Sequence, residues 1–340
     1  MNKTEVINSI ILKKRFCKDC NLPIAVFDNP YFYKRLEGFD IHFDCIRKFD
    51  EFCKELERFP NEQSFLEYYN ELKDTIMSRI KEKEDFVAFN NSEFKKSMPK
   101  YPKKELYTEM NDRKYFISID MKKANFSALH RYSPAIFDNC DTWEEYMRQF
   151  TESEHIVNSK YIRQVIMGNC NPKRQTQYEY MIMEELLDAI VKRIPDVKVY
   201  SLTTDEIILE VPDIYNFPYE MLNEVFVEDK AKISKNIKTE MFLLRKVKGT
   251  DGWMKQKYEI IGNEAYRTNE AEFKCLDAEI YIQVIKHFYA LDIEDDDLVF
   301  YHNGRLGKFL GKIENPWADE DYFIDENSID WLKIAKREVD

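Results

Sequence analysis

The sequence predicts an α+β protein, a strand-rich region preceded by a mainly helical N-terminal region. Three observations predict it. Apolar residues recur at helical spacing in Phe49, Phe52, Cys53, Leu56 and Phe59, and again in Phe65, Leu66, Tyr69, Leu72, Ile76 and Ile80. Short aromatic and β-branched runs then take over between residues 115 and 261. Between the two regimes lies a polar connector at residues 90–104, carrying Pro99, Pro102 and the lysines 95, 96, 100, 103 and 104. The expected domains are residues 1–104, 105–275 and an acidic C-terminal region, 276–340.

Composition narrows the class. With 34% charged and 14% aromatic residues in 340, the chain can bury a core and is not a disordered polymer. No apolar run approaches the ~18 residues of a membrane helix, so no membrane partner is expected. Met1 to Glu5 leads into an amphipathic segment rather than a signal peptide. Seven scattered cysteines, an odd number, fit a reducing, cytoplasmic compartment better than a disulfide framework. The net charge of −12 argues against broad coating of nucleic acid. Charge is unevenly placed, however: residues 229–257 hold nine Lys or Arg against three acids, and residues 291–330 hold twelve acids against three bases.

Along the chain, residues 6–15 read as a short helix. Cys17-x2-Cys20 followed by His42-x2-Cys45 has the paired spacing of a structural zinc site, although buried thiols with a core histidine fit the same residues. Pro60 and Asn61 separate the two amphipathic helices. Tyr115 to Ile119 is a buried strand that stops at Asp120. Asp141-Thr142-Trp143-Glu144-Glu145 is a capping box. In the segment His155 to Met167, Lys160 and Arg163 sit one turn apart, placed either to clamp a triphosphate or as an ordinary basic outer face. Asn171-Pro172 starts a helix whose N-terminus, with Gly168 upstream and Lys173 and Arg174 beside it, forms a candidate anion site.

Val197 to Leu202 and Ile207 to Val211 form a hairpin whose turn, Thr203 to Glu206, carries the adjacent acids Asp205 and Glu206. Two further strands, Met241 to Val247 and Trp253 to Ile261, follow, then a helix from Ala278 to Leu291, with Trp317, Phe323 and Trp331 expected to dock the acidic tail. A strand ending in one carboxylate beside a hairpin tipped with two is the arrangement that divalent ions need, hard cations held by oxygens on rigid elements.

These residues carry a resemblance. Asp120-x3-Ala124-Asn125-Phe126-Ser127 resembles motif A of reverse transcriptases, Gly168-Asn169-Cys170-Asn171-Pro172 with its helix resembles their motif B, and Thr204-Asp205-Glu206 resembles motif C of palm polymerases, where family A DNA polymerases also use Asp-Glu. The order, with 48 residues from Asp120 to Gly168 and 37 more to Asp205, suits a compact right-handed palm over about residues 110–215. The resemblance implies a palm, an antiparallel sheet with helices packed on one face, at 105–275 and a fingers-like helical region at 1–104. It implies two magnesium ions, replaceable by manganese, with Asp120 and Asp205 as shared ligands and Glu206 as a weaker third. It implies nucleoside triphosphates and a nucleic-acid primer, with or without a template, as partners, and Asn125, Phe126, Lys160, Arg163, Gly168, Lys173 and Arg174 as nucleotide-binding residues. Asn125 takes the place that is aromatic in reverse transcriptases, so either ribose should fit beside it or Asn125 merely caps the following turn. Two rivals use the same residues differently: a palm-fold nucleotide cyclase or guanylyl-adding enzyme, and a non-enzymatic, zinc-stabilised interaction module.

Overall fold

The computed structural model describes residues 1–94, 100–228 and 236–317. It contains helices and strands, including a six-stranded antiparallel sheet. The chain divides into two compact units, each assembled from separated stretches. One comprises Met1–Lys96, Lys123–Glu179 and Asp277–Ile313, and the other Ser97–Lys122, Tyr180–Leu276 and Glu314–Asp340. Residues 123–179 thus belong with the helical stretches and not with the sheet.

In the sheet unit, β1 (Tyr115–Met121), β2 (Lys198–Leu202), β3 (Glu206–Val211), β4 (Ile237–Lys246), β5 (Trp253–Ile261) and β6 (Glu264–Lys274) pair in the order β2-β3-β1-β4-β5-β6. Helix Pro172–Arg193 precedes β2 and helix Tyr219–Glu228 precedes β4, so β1 to β4 trace a split βαβ arrangement with β1 in the middle. Alternation of side chains sorts the faces. Ile117, Ile119 and Met121 of β1 and Ile207, Leu209 and Val211 of β3 are buried on one face. On that face Tyr219 donates its hydroxyl to the Met241 sulfur at 3.3 Å, which seats the helix Tyr219–Glu228 there.

The opposite face has two zones. At one end Phe116, Ile208, Phe242, Leu244 and Trp253 form an apolar cluster covered by Leu106, with Tyr107 and Tyr200 against it. At the other end the side chains are charged. Residues 100–107 are not a free connector: Leu202 N–H donates to the Pro102 carbonyl at 2.8 Å, Lys104 N–H donates to the Ser201 hydroxyl at 3.1 Å, and Lys100 pairs with Asp188 at 2.6 Å. Lys95, Lys96, Phe323, Trp331 and part of the basic window lie outside the described residues.

The helical unit is built on the anticipated stripes. Helix Glu62–Glu82 starts where Asn61 Oδ1 accepts the Ser64 N–H at 2.9 Å, and it buries Phe65, Tyr69, Leu72, Ile76 and Ile80. Helix Cys45–Leu56 buries Phe49, Phe52, Cys53 and Leu56. Phe16, from helix Ile10–Asp19, packs edge-on against Phe49 with centroids 5.0 Å apart. The segment His155 to Met167 is two helices, Glu154–Val157 and Lys160–Gly168, because Ser153 and Ser159 each cap a new start. No helix of the described residues is long and apolar enough to cross a membrane.

Candidate active site

Asp120 is the sixth residue of β1 and shares its face with Phe116 and Ser118. Antiparallel pairing sets it directly opposite Glu206 of β3 on one side and Lys238 of β4 on the other. Glu206 is therefore the first residue of a strand rather than part of the turn. The turn closes tightly: Thr203 N–H donates to the Glu206 carbonyl at 2.9 Å, and Glu206 N–H donates back to the Thr203 hydroxyl at 3.2 Å. Asp205 stands at its tip, and its carbonyl accepts the Met121 N–H at 2.8 Å. One backbone hydrogen bond thus ties the end of the Asp120 strand to the residue that carries the second acid.

The electrostatics follow from this crowding. Burial, reinforced by the charges of Asp205 and Glu206 and opposed by Lys238, pushes the Asp120 carboxyl up to about 6. Burial and the Glu206 charge likewise raise Asp205, against a hydrogen bond from its own backbone. Glu206 has partners on the sheet, for Ser118 Oγ donates to its Oε1 at 2.5 Å and Lys255 Nζ lies 3.8 Å from the same oxygen. Farther across, Lys238 and Lys257 hold Glu240 at 2.8 and 3.0 Å, and despite burial they keep it below the usual glutamate range.

No protein-family model matches this chain, and no curated protein or solved structure does.

The remaining candidates belong to the helical unit. Asn125 is half-buried in helix Ala124–Tyr132 and its Oδ1 accepts the Phe126 N–H at 3.0 Å. Phe126 is only 3% exposed and packs against Phe137, His130 and Trp143, with centroids 4.6, 5.4 and 6.1 Å away. It serves the core, which corrects its assignment as a nucleotide contact. Lys160 and Lys173 are exposed, while Arg163 is half-buried and lowered by that burial, relieved only by Glu144. Arg174 donates from Nε to the Phe89 carbonyl at 2.6 Å and stacks over Phe94 at 4.8 Å, so its guanidinium is engaged in packing. A Cβ on Gly168 would meet nothing within 4 Å, so no close approach requires glycine there. Pro172 opens its helix as expected, and Asn171 before it sits at φ 58° with its amide donating to Asn90.

Cys17, Cys20 and Cys45 lie close enough for Cys17 to feel the other two, and burial raises all three thiols, Cys20 and Cys45 to about 12. Cys45 donates to the Leu36 carbonyl at 3.1 Å, and His42 Nδ1 meets the Tyr289 hydroxyl at 3.0 Å. Among the described residues no three His, Cys, Asp or Glu side chains are arranged as a metal cage, in this cluster or in the acidic one.

Sequence reasoning missed Ser118, Lys238, Glu240, Lys255 and Lys257. The signal was the alternation itself: a serine between Ile117 and Ile119 in an otherwise apolar strand, and Lys-x-Glu and Lys-x-Lys spacings that put charge on one face of β4 and β5.

Proposed function

We propose that the chain is a nucleotidyltransferase of the palm-polymerase type, in which a primer 3′-hydroxyl attacks the α-phosphate of a nucleoside triphosphate, joining the nucleotide to the primer and releasing pyrophosphate. The observation that carries this reading is the delivery of Asp120 and Asp205 to one sheet end, locked by the 2.8 Å bond between Met121 and Asp205. The donors fit magnesium: hard carboxylate oxygens on rigid elements, both raised by burial and like charge, so that a divalent cation relieves the repulsion. Asp120 and Asp205 would hold it. Bound there, magnesium supplies activation of the attacking hydroxyl and neutralisation of the leaving pyrophosphate.

The chain's own contribution is then positional. The β1 and β3 pairing and the Met121–Asp205 hydrogen bond hold the backbone that carries the two carboxylates, and rigid placement of reacting groups is itself worth a large share of the barrier. Release of pyrophosphate from a triphosphate with magnesium, measured with and without a primer, tests the reading. Primer-dependent release supports a polymerase. Release without primer, giving a cyclic product, points to a cyclase, and no magnesium-dependent turnover removes the enzymatic reading.

A further inference from the structure

Lys255 is the most unusual charge on the sheet. It projects from β5, where it stands opposite Leu244, and it is only 9% exposed. Its ammonium group lies over the Phe242 ring at 4.6 Å and 5.9 Å from the Tyr107 ring, and it ends 3.8 Å from Glu206 Oε1, three strands away in the order β3-β1-β4-β5. A buried lysine is stable only with a compensating charge, and aromatic faces provide part of the remainder. Ser118, 3% exposed on the same face of β1, donates to that same oxygen at 2.5 Å. The Glu206 carboxylate is thus gripped by two buried groups from two other strands.

We propose that Lys255, with Ser118, is a positioning residue that clamps the Glu206 carboxylate on the sheet and keeps it out of the metal-ligand set. Asp120 and Asp205 are then the pair that binds the divalent cation. The assignment rests on the metal-site reading above and changes it in one respect, because Glu206 acts as the anchor of a lysine instead of as a third ligand. Release of the clamp frees a carboxylate beside two others and removes a positive charge from the site. Both effects strengthen cation binding, while the added ligand slows turnover.

The test is direct binding of manganese to the full chain, followed by electron paramagnetic resonance, alongside turnover at saturating metal. Glu206→Gln is expected to change manganese affinity by less than about threefold, and Asp120→Asn and Asp205→Asn to weaken it by about tenfold or more. Lys255→Met is expected to tighten binding about threefold to tenfold while turnover falls, with the gain lost in the Lys255→Met/Glu206→Gln double variant. Lys255→Arg keeps the charge and restores the parent values, which a purely structural role lost on any substitution would not do. The proposal is overturned if Glu206→Gln weakens manganese as much as Asp120→Asn, or if Lys255→Met leaves affinity unchanged while melting as the parent does. Binding that survives both aspartate substitutions refutes the underlying metal site instead, and the clamp assignment with it.

Discussion

Replacing Asp120 by Asn should stabilise the protein. The carboxyl sits at about 6 instead of its ordinary 3.8, chiefly through burial and then through Asp205 and Glu206. At ~1.4 kcal/mol per pH unit, the cost of ionising it in the folded state is ~3 kcal/mol, which the group's partial exposure reduces to ~1–2 kcal/mol. The sign follows from proton binding. The folded state holds this proton more tightly than the unfolded chain does, so the group favours folding most below the unfolded value. That advantage declines as pH rises from about 4 to about 6 and is gone above it. Asp120→Asn carries no such proton. Relative to the parent it should be ~1–2 kcal/mol more stable at neutral pH and indistinguishable near pH 4, a gain of about 1–3 °C in Tm at neutral pH. Thermal denaturation of both proteins across this range, without divalent metal, measures it. A variant less stable than the parent at neutral pH, or a difference that does not vary with pH, would refute the reasoning.

Other outcomes follow from the same geometry. Because the Asp120 proton must leave before a cation binds, magnesium-dependent turnover should fall roughly tenfold per unit below about pH 6, and a pH profile of the parent shows it. Arg174→Ala should cost ~1–3 kcal/mol through its lost contacts with Phe89 and Phe94, leaving triphosphate affinity unchanged by calorimetry. Phe116→Ala, which empties a fully buried place in the sheet cluster, should cost ~3–5 kcal/mol in urea unfolding. Asn125 should admit ribonucleotides at least as well as deoxyribonucleotides, and Asn125→Tyr should shift the ratio of ATP to dATP incorporation about tenfold to a hundredfold toward dATP. A strong dATP preference in the unsubstituted chain would sink that assignment.

Much of this architecture was legible in the chain. The strand carrying Asp120 and the hairpin carrying Asp205 were readable because apolar runs broken by acids leave a local mark, although β1 does not stop at Asp120 but runs on to Met121, which pairs with Ile237 of β4. The boundary between turn and strand at Glu206 was not, since register is decided by the β1 partner and not by the hairpin sequence. Strand β6 escaped notice because its pattern is polar along most of its length, with only Ala271 and Phe273 buried. The return of residues 123–179 to the helical unit depends on contacts distant in sequence, which local periodicity does not record. Similarly, the Cys-x2-Cys spacing brings three thiols near one another, but spacing alone does not fix where His42 turns, and here it turns to Tyr289. Lys255 was invisible for the same reason: its meaning lies in reaching Glu206 across intervening strands.

The most direct measurement is primer extension with magnesium by the parent chain, Asp120→Ala and Asp205→Ala, over every pairing of RNA or DNA primer-template with ribo- or deoxyribonucleotides. The account predicts magnesium-dependent extension in at least one pairing and a loss of about a hundredfold or more in each variant, with folding intact by thermal melt. Extension that is unchanged in either variant, or absent from the parent in every pairing, would contradict it.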